Sequence, residues 1–208
     1  MTFLWGICLL LLGVLLLLFG VFWLWFARQP RRSIHAGENI IVSPANGKIV
    51  KMMKFDGPVI AEKWNKGITQ LETNDVAKRG WFVLIMMTPL DVHWQRAPLS
   101  GTIINTQHVP GKFKNAVFGA SSLSALQNER NEILMKTKKG NIKVVQIAGL
   151  LARRISCFVN KDAQVNKGEL IGFISFGSQV ALLLPENAKL EVEEGFKVKD
   201  GERIGVMR

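Results

Sequence analysis

The chain has 208 residues, with 27 Lys and Arg against 16 Asp and Glu, for a formal net charge of +11. That length allows one sizeable domain with an appendage, and the basic excess calls for an anionic partner. No Cys/His ligand cluster and no recognition-helix pattern accompanies the charge, which disfavours a metal or nucleic acid and leaves an acidic membrane surface. Cys8 and Cys157 make no disulfide framework and fit a reducing compartment.

Residues 1–27 carry no charged side chain and are dense in Leu, Val, Phe and Trp. Roughly 20 apolar residues cross a bilayer as a helix, so Phe3 to Ala27 is expected to span with some tilt. A cleaved signal peptide is the weaker reading, because there is no basic n-region, the apolar run is too long and no small-residue cleavage site follows. Trp5, Trp23 and Trp25 fit interfacial belts, and Arg28, Arg31 and Arg32 place the following residues in the cytoplasm by the positive-inside rule. The expected organisation is a transmembrane anchor over 1–27, a basic juxtamembrane linker over 28–35 and a domain over 36–208. Beyond Pro30, short runs bounded by Gly, Pro, Asn and Asp predict strands at 40–42, 48–50, 82–87, 101–105, 143–147 and 155–159. Longer loops are expected near 53–79 and 106–132, and Ala148 to Arg154 offers a helical turn or two at most.

Two internal echoes refine this mainly β reading. Pro44-Ala45-Asn46-Gly47-Lys48-Ile49-Val50 is matched by Pro98-Leu99-Ser100-Gly101-Thr102-Ile103-Ile104, and Val165 to Gly172 is matched by Val198 to Gly205. These paired turns resemble the folded-over β-sandwich of biotinyl and lipoyl carrier domains, although the lysine that carriers modify has no counterpart here. Near the C-terminus, Phe176-Gly177-Ser178 interrupts an apolar run. A Gly-Ser pair in a strand reads as a kink by default, and chemistry at Ser178 needs a base with an orienting neighbour. Asp91 and His93 share a strand face by alternation, with Arg96 just past them, yet an isolated His beside an Asp is more often structural than catalytic. His108 reads as a loop residue, and Asn128-Glu129-Arg130-Asn131 as a solvated turn.

The motifs gain meaning from their order. Phe26-x-Arg28-x-Pro30-x-Arg32, Ser43-Pro44-Ala45-x-Gly47-Lys48, Pro89-Leu90-Asp91-Val92-His93-x-x-Arg96-Ala97-Pro98, His108-x-Pro110-Gly111-Lys112-Phe113-x-Asn115-Ala116, Asn128-Glu129-Arg130, Gln146-Ile147-Ala148-Gly149-Leu150-x-Ala152-Arg153-Arg154 and Phe176-Gly177-Ser178 follow one another along the chain. In this the chain resembles the short, membrane-anchored phosphatidylserine decarboxylases, which include archaetidylserine decarboxylases, over nearly everything from Phe26 onward. The resemblance implies self-cleavage between Gly177 and Ser178, giving a β chain 1–177 and an α chain 178–208. It implies a covalent pyruvoyl group derived from Ser178, which forms a Schiff base with the amine of the lipid headgroup, releases carbon dioxide and leaves the ethanolamine phospholipid. It also implies His93 as the surviving base, and His108, Arg96 and Arg130 as substrate-binding positions. The partners implied are an anionic phospholipid and its membrane, with a homodimer allowed. One departure stands out: the family's Ser-Pro-Ala-Asp-Gly is Ser43-Pro44-Ala45-Asn46-Gly47 here, so the position of the orienting carboxylate is a neutral amide. The alternative function is therefore a catalytically impaired, membrane-tethered β-sandwich adaptor or anionic-lipid-binding module.

Overall fold

A computed structural model describes residues 2–62, 68–111, 123–149, 154–175 and 177–208. Helix α1 (Thr2–Phe26) is long and apolar enough to cross a membrane. It has no polar stripe to turn toward water, which is what a lipid-embedded helix requires. Most of its side chains are exposed, but Phe26 at its foot is fully buried in the domain.

The rest is mainly β. In chain order the strands are β1 (Ile40–Val42), β2 (Gly47–Asp56), β3 (Val59–Glu62), β4 (Ile68–Leu71), β5 (Arg79–Met87), β6 (Trp94–Arg96), β7 (Gly101–Val109), β8 (Arg130–Thr137), β9 (Gly140–Ile147), β10 (Ile155–Cys157), β11 (Gln164–Val165), β12 (Leu170–Ile174), β13 (Ser178–Pro185), β14 (Ala188–Leu190), β15 (Lys197–Val198) and β16 (Arg203–Met207). A 3-10 turn over Leu123–Gln127 precedes β8. Eight strands form one antiparallel sheet in the order β11-β7-β8-β9-β13-β5-β2-β15. Three-stranded sheets β1-β16-β14 and β10-β12-β6 and the hairpin β3-β4 complete the domain.

Strand β13 lies inside the large sheet between β9 and β5, and its residues from Ser178 to Leu184 are buried. Both its faces are covered, so its sequence reads as a continuous apolar run rather than an alternation. Val180, Leu182 and Leu184 enter one core with Ile49, Ile85, Ile133 and Val144, while Ala181 and Leu183 enter a second with Phe82, Leu126 and Ile147.

The sequence echoes are two copies of one unit that embrace each other. Val198 pairs with Gly47 and Val165 with Gly101; β16 pairs with β1 and β12 with β6. The strands after the two Pro-x-x-Gly turns are irregular at equivalent places, between Ile49 and Lys51 and between Ile103 and Asn105. The crossing hydrogen bonds are reciprocal: Val42 N donates to Pro98 O at 3.0 Å, and Arg96 N donates to Pro44 O at 2.9 Å. Such i-to-j and j-to-i contacts are the mark of an approximate two-fold axis. The expected long loops are accordingly shorter. β2 runs on to Asp56, the hairpin β3-β4 fills part of 53–79, and β7 runs on to Val109, so His108 is a strand residue rather than a loop residue. Polar side chains on exposed strand faces hide these extensions from a hydrophobic pattern. The turn expected over Ala148 to Arg154 lies largely outside the described residues, and the strand expected to reach 159 stops at Cys157.

Residues 28–35 run along the domain. Ile34 fills the space over Gly168 and Gly201, both at φ +82°, where a Cβ would come within 2.5 Å and 2.6 Å of it. Arg32 Nη2 and Arg96 Nε reach the two oxygens of fully buried Asp200 at 2.6 Å and 2.7 Å. Arg96 also donates to Gly168 O at 2.8 Å. A carboxylate shared by two largely desolvated guanidiniums leaves both uncompensated if it is removed. Asp200→Ala is therefore expected to destabilise the chain by about 3–5 kcal/mol, read as a lower denaturant midpoint, whereas Glu38→Ala, which breaks an exposed pair, should leave the midpoint nearly unchanged.

Candidate active site

Ser178 opens β13, opposite Met87, the last residue of β5. Gly177 before it has φ +59°, a left-handed conformation that side-chain-bearing residues adopt at a cost of about 1–2 kcal/mol. From Met87 the chain turns through Thr88 to Asp91 and reaches His93, whose carbonyl accepts from Ile174 N at 3.2 Å. The segments 87–93 and 174–178 are thus tied at both ends, Met87 to Ser178 and His93 to Ile174. Within this frame His93 and Ser178 are both fully buried. Among the described residues neither His93 Nε2 nor Ser178 Oγ has a hydrogen-bond partner. Leaving such groups unpaired costs about 1–3 kcal/mol each, which makes the two atoms candidates for chemistry.

The protonation state of His93 follows from its surroundings. Nδ1 lies 2.8 Å from the carbonyl oxygen of Asp91, which can only accept, so Nδ1 carries the proton and Nε2 keeps its lone pair. The ring of Phe26 lies against it, with centroids 4.4 Å apart, and Phe173 packs edge-on to Phe26 at 6.1 Å. Burial pushes the His93 pKa down to about 4, helped by the charge of Arg28 and opposed by the hydrogen bond and charge of Asp91. At neutral pH His93 is an uncharged base with a free lone pair.

Asn46 has a different place from that expected. Its Nδ2 donates to Asp91 Oδ1 at 2.9 Å and its Oδ1 faces Arg32 Nη2 at 3.5 Å. Asp91 Oδ2 accepts from Thr88 N at 2.8 Å and from Thr88 Oγ1 at 2.7 Å. Asn46 therefore holds the Asp91 turn, and the turn's backbone carbonyl orients the imidazole. An amide oxygen aimed at the ring, the role open to Asn46 from the sequence, is not what the side chain does. Asp91 likewise acts on the ring through its main chain.

Three further candidates lie apart from this centre. Arg96 is occupied by Asp200. Arg130 is in register with Ile147 and Gln179, so its side chain lies on the opposite face of the sheet from Ser178, where it donates to Glu132 at 2.8 Å and Leu126 O at 2.9 Å. His108 is in register with Asn131 and Gln146 on the Ser178 face, but three strands from Val180, largely exposed and 3.7 Å from Glu129. Sequence reasoning missed Phe26 as a wall of the site. It also missed a buried amide row: Gln95 donates to His93 O at 2.7 Å, Gln146 to Gln95 at 2.9 Å and Asn131 to Gln146 at 3.0 Å. Glutamines inside apolar runs were the available signal for that row.

Comparison with known proteins accords with this geometry. A sequence profile described as phosphatidylserine decarboxylase matches residues 19–206. The chain belongs to the phosphatidylserine decarboxylase family. It is 38% identical over 183 residues to a phosphatidylserine decarboxylase proenzyme of Syntrophus aciditrophicus, covering 87% of this chain and 77% of that one. It is 36% identical over 190 residues to a protein of Methanothermobacter thermautotrophicus named as an archaetidylserine decarboxylase proenzyme, covering 88% and 79%. A Streptomyces coelicolor phosphatidylserine decarboxylase proenzyme is 39% identical over 178 residues, covering 86% and 69%. The family is one of carboxy-lyases, and in this chain Gly177-Ser178 falls at the start of β13.

The depressed pKa of His93 has a sign that can be checked. The folded chain disfavours the protonated ring, so stability from this group is complete above about pH 6.5, the unfolded value, and is lost as pH falls from 6.5 to about 4. Any step that uses His93 as a base should hold its rate down to about pH 5. Phe26→Ala admits water to the ring and moves its pKa back toward 6.5, so chain cleavage in precursor made by cell-free synthesis is expected to fall roughly ten-fold or more at pH 5. At pH 8 the rate should stay close to that of the parent, and Phe26→Leu should restore most of the low-pH rate.

Proposed function

We propose that the chain is a self-processing, pyruvoyl-dependent decarboxylase that converts phosphatidylserine, or its archaeal counterpart archaetidylserine, to the ethanolamine phospholipid. The observation that carries this reading is the paired burial of His93 Nε2 and Ser178 Oγ without partners, directly after a left-handed Gly177. His93 takes the Oγ proton, Oγ attacks the Gly177 carbonyl carbon, and the Gly177–Ser178 C–N bond breaks as its nitrogen is protonated, leaving an ester. Loss of the Cα proton of residue 178 expels the Gly177 carboxylate, and water then releases ammonia and leaves the ketone at the head of 178–208. The pyruvoyl group so formed supplies an electron sink for decarboxylation that no standard side chain offers. Phe26, Phe173 and the Asp91 turn keep water from the base and hold its lone pair toward the site. Asn46, Arg32 and Thr88 fix that turn.

Two chains remain one protein on this reading. The fragment 178–208 supplies β13, β14, β15 and β16, the first of them hydrogen-bonded on both edges, so the break releases no element from the core. Intact-mass measurement of the purified chain is expected to show 1–177 and 178–208, the smaller one blocked at its N-terminus, and vesicles containing phosphatidylserine should release carbon dioxide. Ser178→Ala should give a single chain of full length. Because the ring acceptor is the Asp91 carbonyl, Asn46→Asp is expected to change the cleavage rate by less than about ten-fold, well short of the loss seen when a triad carboxylate is essential. A whole wild-type chain that Asn46→Asp renders cleavable would overturn the reading in favour of the tethered adaptor.

The same reading places α1 across the cell membrane with residues 28–208 on the cytoplasmic face. The support is Arg28, Arg31 and Arg32 against an uncharged N-terminal flank. Protease added outside intact cells should leave the domain whole, and its digestion there would reverse the orientation.

A further inference from the structure

Outside α1, Ile60, Leu90, Phe158 and Phe196 are the large apolar side chains that stand exposed among the described residues. Two of them, far apart in sequence, meet at the foot of α1. Leu90 is 68% exposed at the tip of the turn that Asp91 closes by its bonds to Thr88, and its carbonyl accepts from Arg28 Nη2 at 2.9 Å. Arg28 in turn lies over the Trp25 ring at 4.0 Å and donates to Trp25 O. Phe158 is 50% exposed just past β10, with its ring 5.9 Å from that of Trp94. Trp94 Nε1 donates to Ala27 O at 3.3 Å, and Trp94 packs on Phe173, the neighbour of Phe26. A rigid turn that displays a leucine, a phenylalanine presented from the adjoining sheet and a tryptophan with a polar tip form an apolar collar around the point where the helix leaves the domain. Exposed Arg31 and Arg154 add positive charge near its ends in the chain.

We propose that Leu90 and Phe158 insert into the bilayer leaflet that α1 enters, so that the His93 site is held face-on to the lipid headgroups. This rests on reading α1 as a membrane anchor. The occupant is a bilayer because the patch is continuous with the foot of a helix that has no charged residue, and because Arg28, bonded to Leu90 O, suits anionic headgroups. Two apolar contacts beside α1 fix the face that is presented, and through Phe26 they do so within one ring of the imidazole.

The test uses the full chain with Cys8→Ala and Cys157→Ser, carrying one nitroxide-labelled cysteine in Leu90→Cys, Phe158→Cys or Glu186→Cys, in vesicles of phosphatidylcholine and phosphatidylglycerol. Glu186 follows Pro185 at the end of β13 remote from Ser178 and is exposed. Labels at 90 and 158 are expected to collide with oxygen more than with a water-soluble nickel chelate, and the label at 186 to show the reverse. Labels at 90 and 158 that behave like 186 would overturn the proposal, as would spin–spin broadening that reveals a second copy of the chain on this face. A diazirine-bearing residue at 90 or 158 gives an independent reading, with cross-linking to lipid expected and cross-linking to protein contradicting it. Neither measurement depends on cleavage or turnover, so failure of the collar and failure of the decarboxylase reading give different results.

Discussion

The contact on which the site depends is the imidazole of His93 held between the carbonyl of Asp91 and the ring of Phe26. The first sets which nitrogen bears the proton; the second removes the water that would let the other nitrogen take one. A buried carboxylate would achieve the first at the price of attracting a proton onto the ring. A backbone carbonyl carries only a partial charge, so it orients the ring while leaving desolvation in command of its pKa. This is why an amide at position 46 is compatible with a working base. The charge that steers the ring has moved from a side chain to a main-chain dipole, and Asn46 is matched to Asp91 as a donor where a second carboxylate would face it at hydrogen-bond distance.

That the wall of the site is the last residue of α1 ties two levels of organisation together. A membrane helix is usually separable from the domain it anchors, because a polar linker lets them move independently. Here residues 28–35 are a packed strap. Arg28 is tied to Leu90, Arg32 to Asp200, and Ile34 sits over two glycines that belong to the two halves of the internal repeat. Ile34 thereby touches equivalent positions of both repeats, and Arg32 and Arg96 converge on Asp200 beside it. The foot of α1 and the surroundings of His93 are consequently set by neighbouring residues of one strap.

Much of this was legible in the sequence, and the part that was not has a common cause. The uncharged helix, the strands around Ile41, Ile85, Val144 and Val180 and the Gly177-Ser178 kink all rest on residue types whose chemistry is local. The echoed turns were visible too, but that they clasp one another depends on pairings such as Val198 with Gly47, which no local pattern contains. The hold of Asp91 on the ring was not visible because it is made by its carbonyl, and every residue has one. Arg130 looked close to the site because it follows Asn128 and Glu129, yet a side chain's face depends on sheet register, and one residue of offset from Asn131 sends it to the far side. Arg96 and Arg32 looked like free cations for an anionic surface. Only the fold shows that Asp200, more than a hundred residues further on, has already claimed them.

On the proposed reading, the placement of Ser178 at the start of the central strand meets a mechanical difficulty of chain cleavage. A break within an edge strand or a loop would leave the new terminus free to fray, and a reactive group carried there would be exposed to water. A break at the mouth of β13 leaves the new terminus pinned by hydrogen bonds to β5 and β9 from Gln179 onward, with side chains buried on both faces. Gly177 would end the other fragment, and its φ of +59° is left-handed rather than extended. The two ends can part without disturbing a core that both chains continue to share. On that reading the strand that organises the fold is also the mount for the proposed group, held on both edges and interrupted only at the peptide bond on its rim.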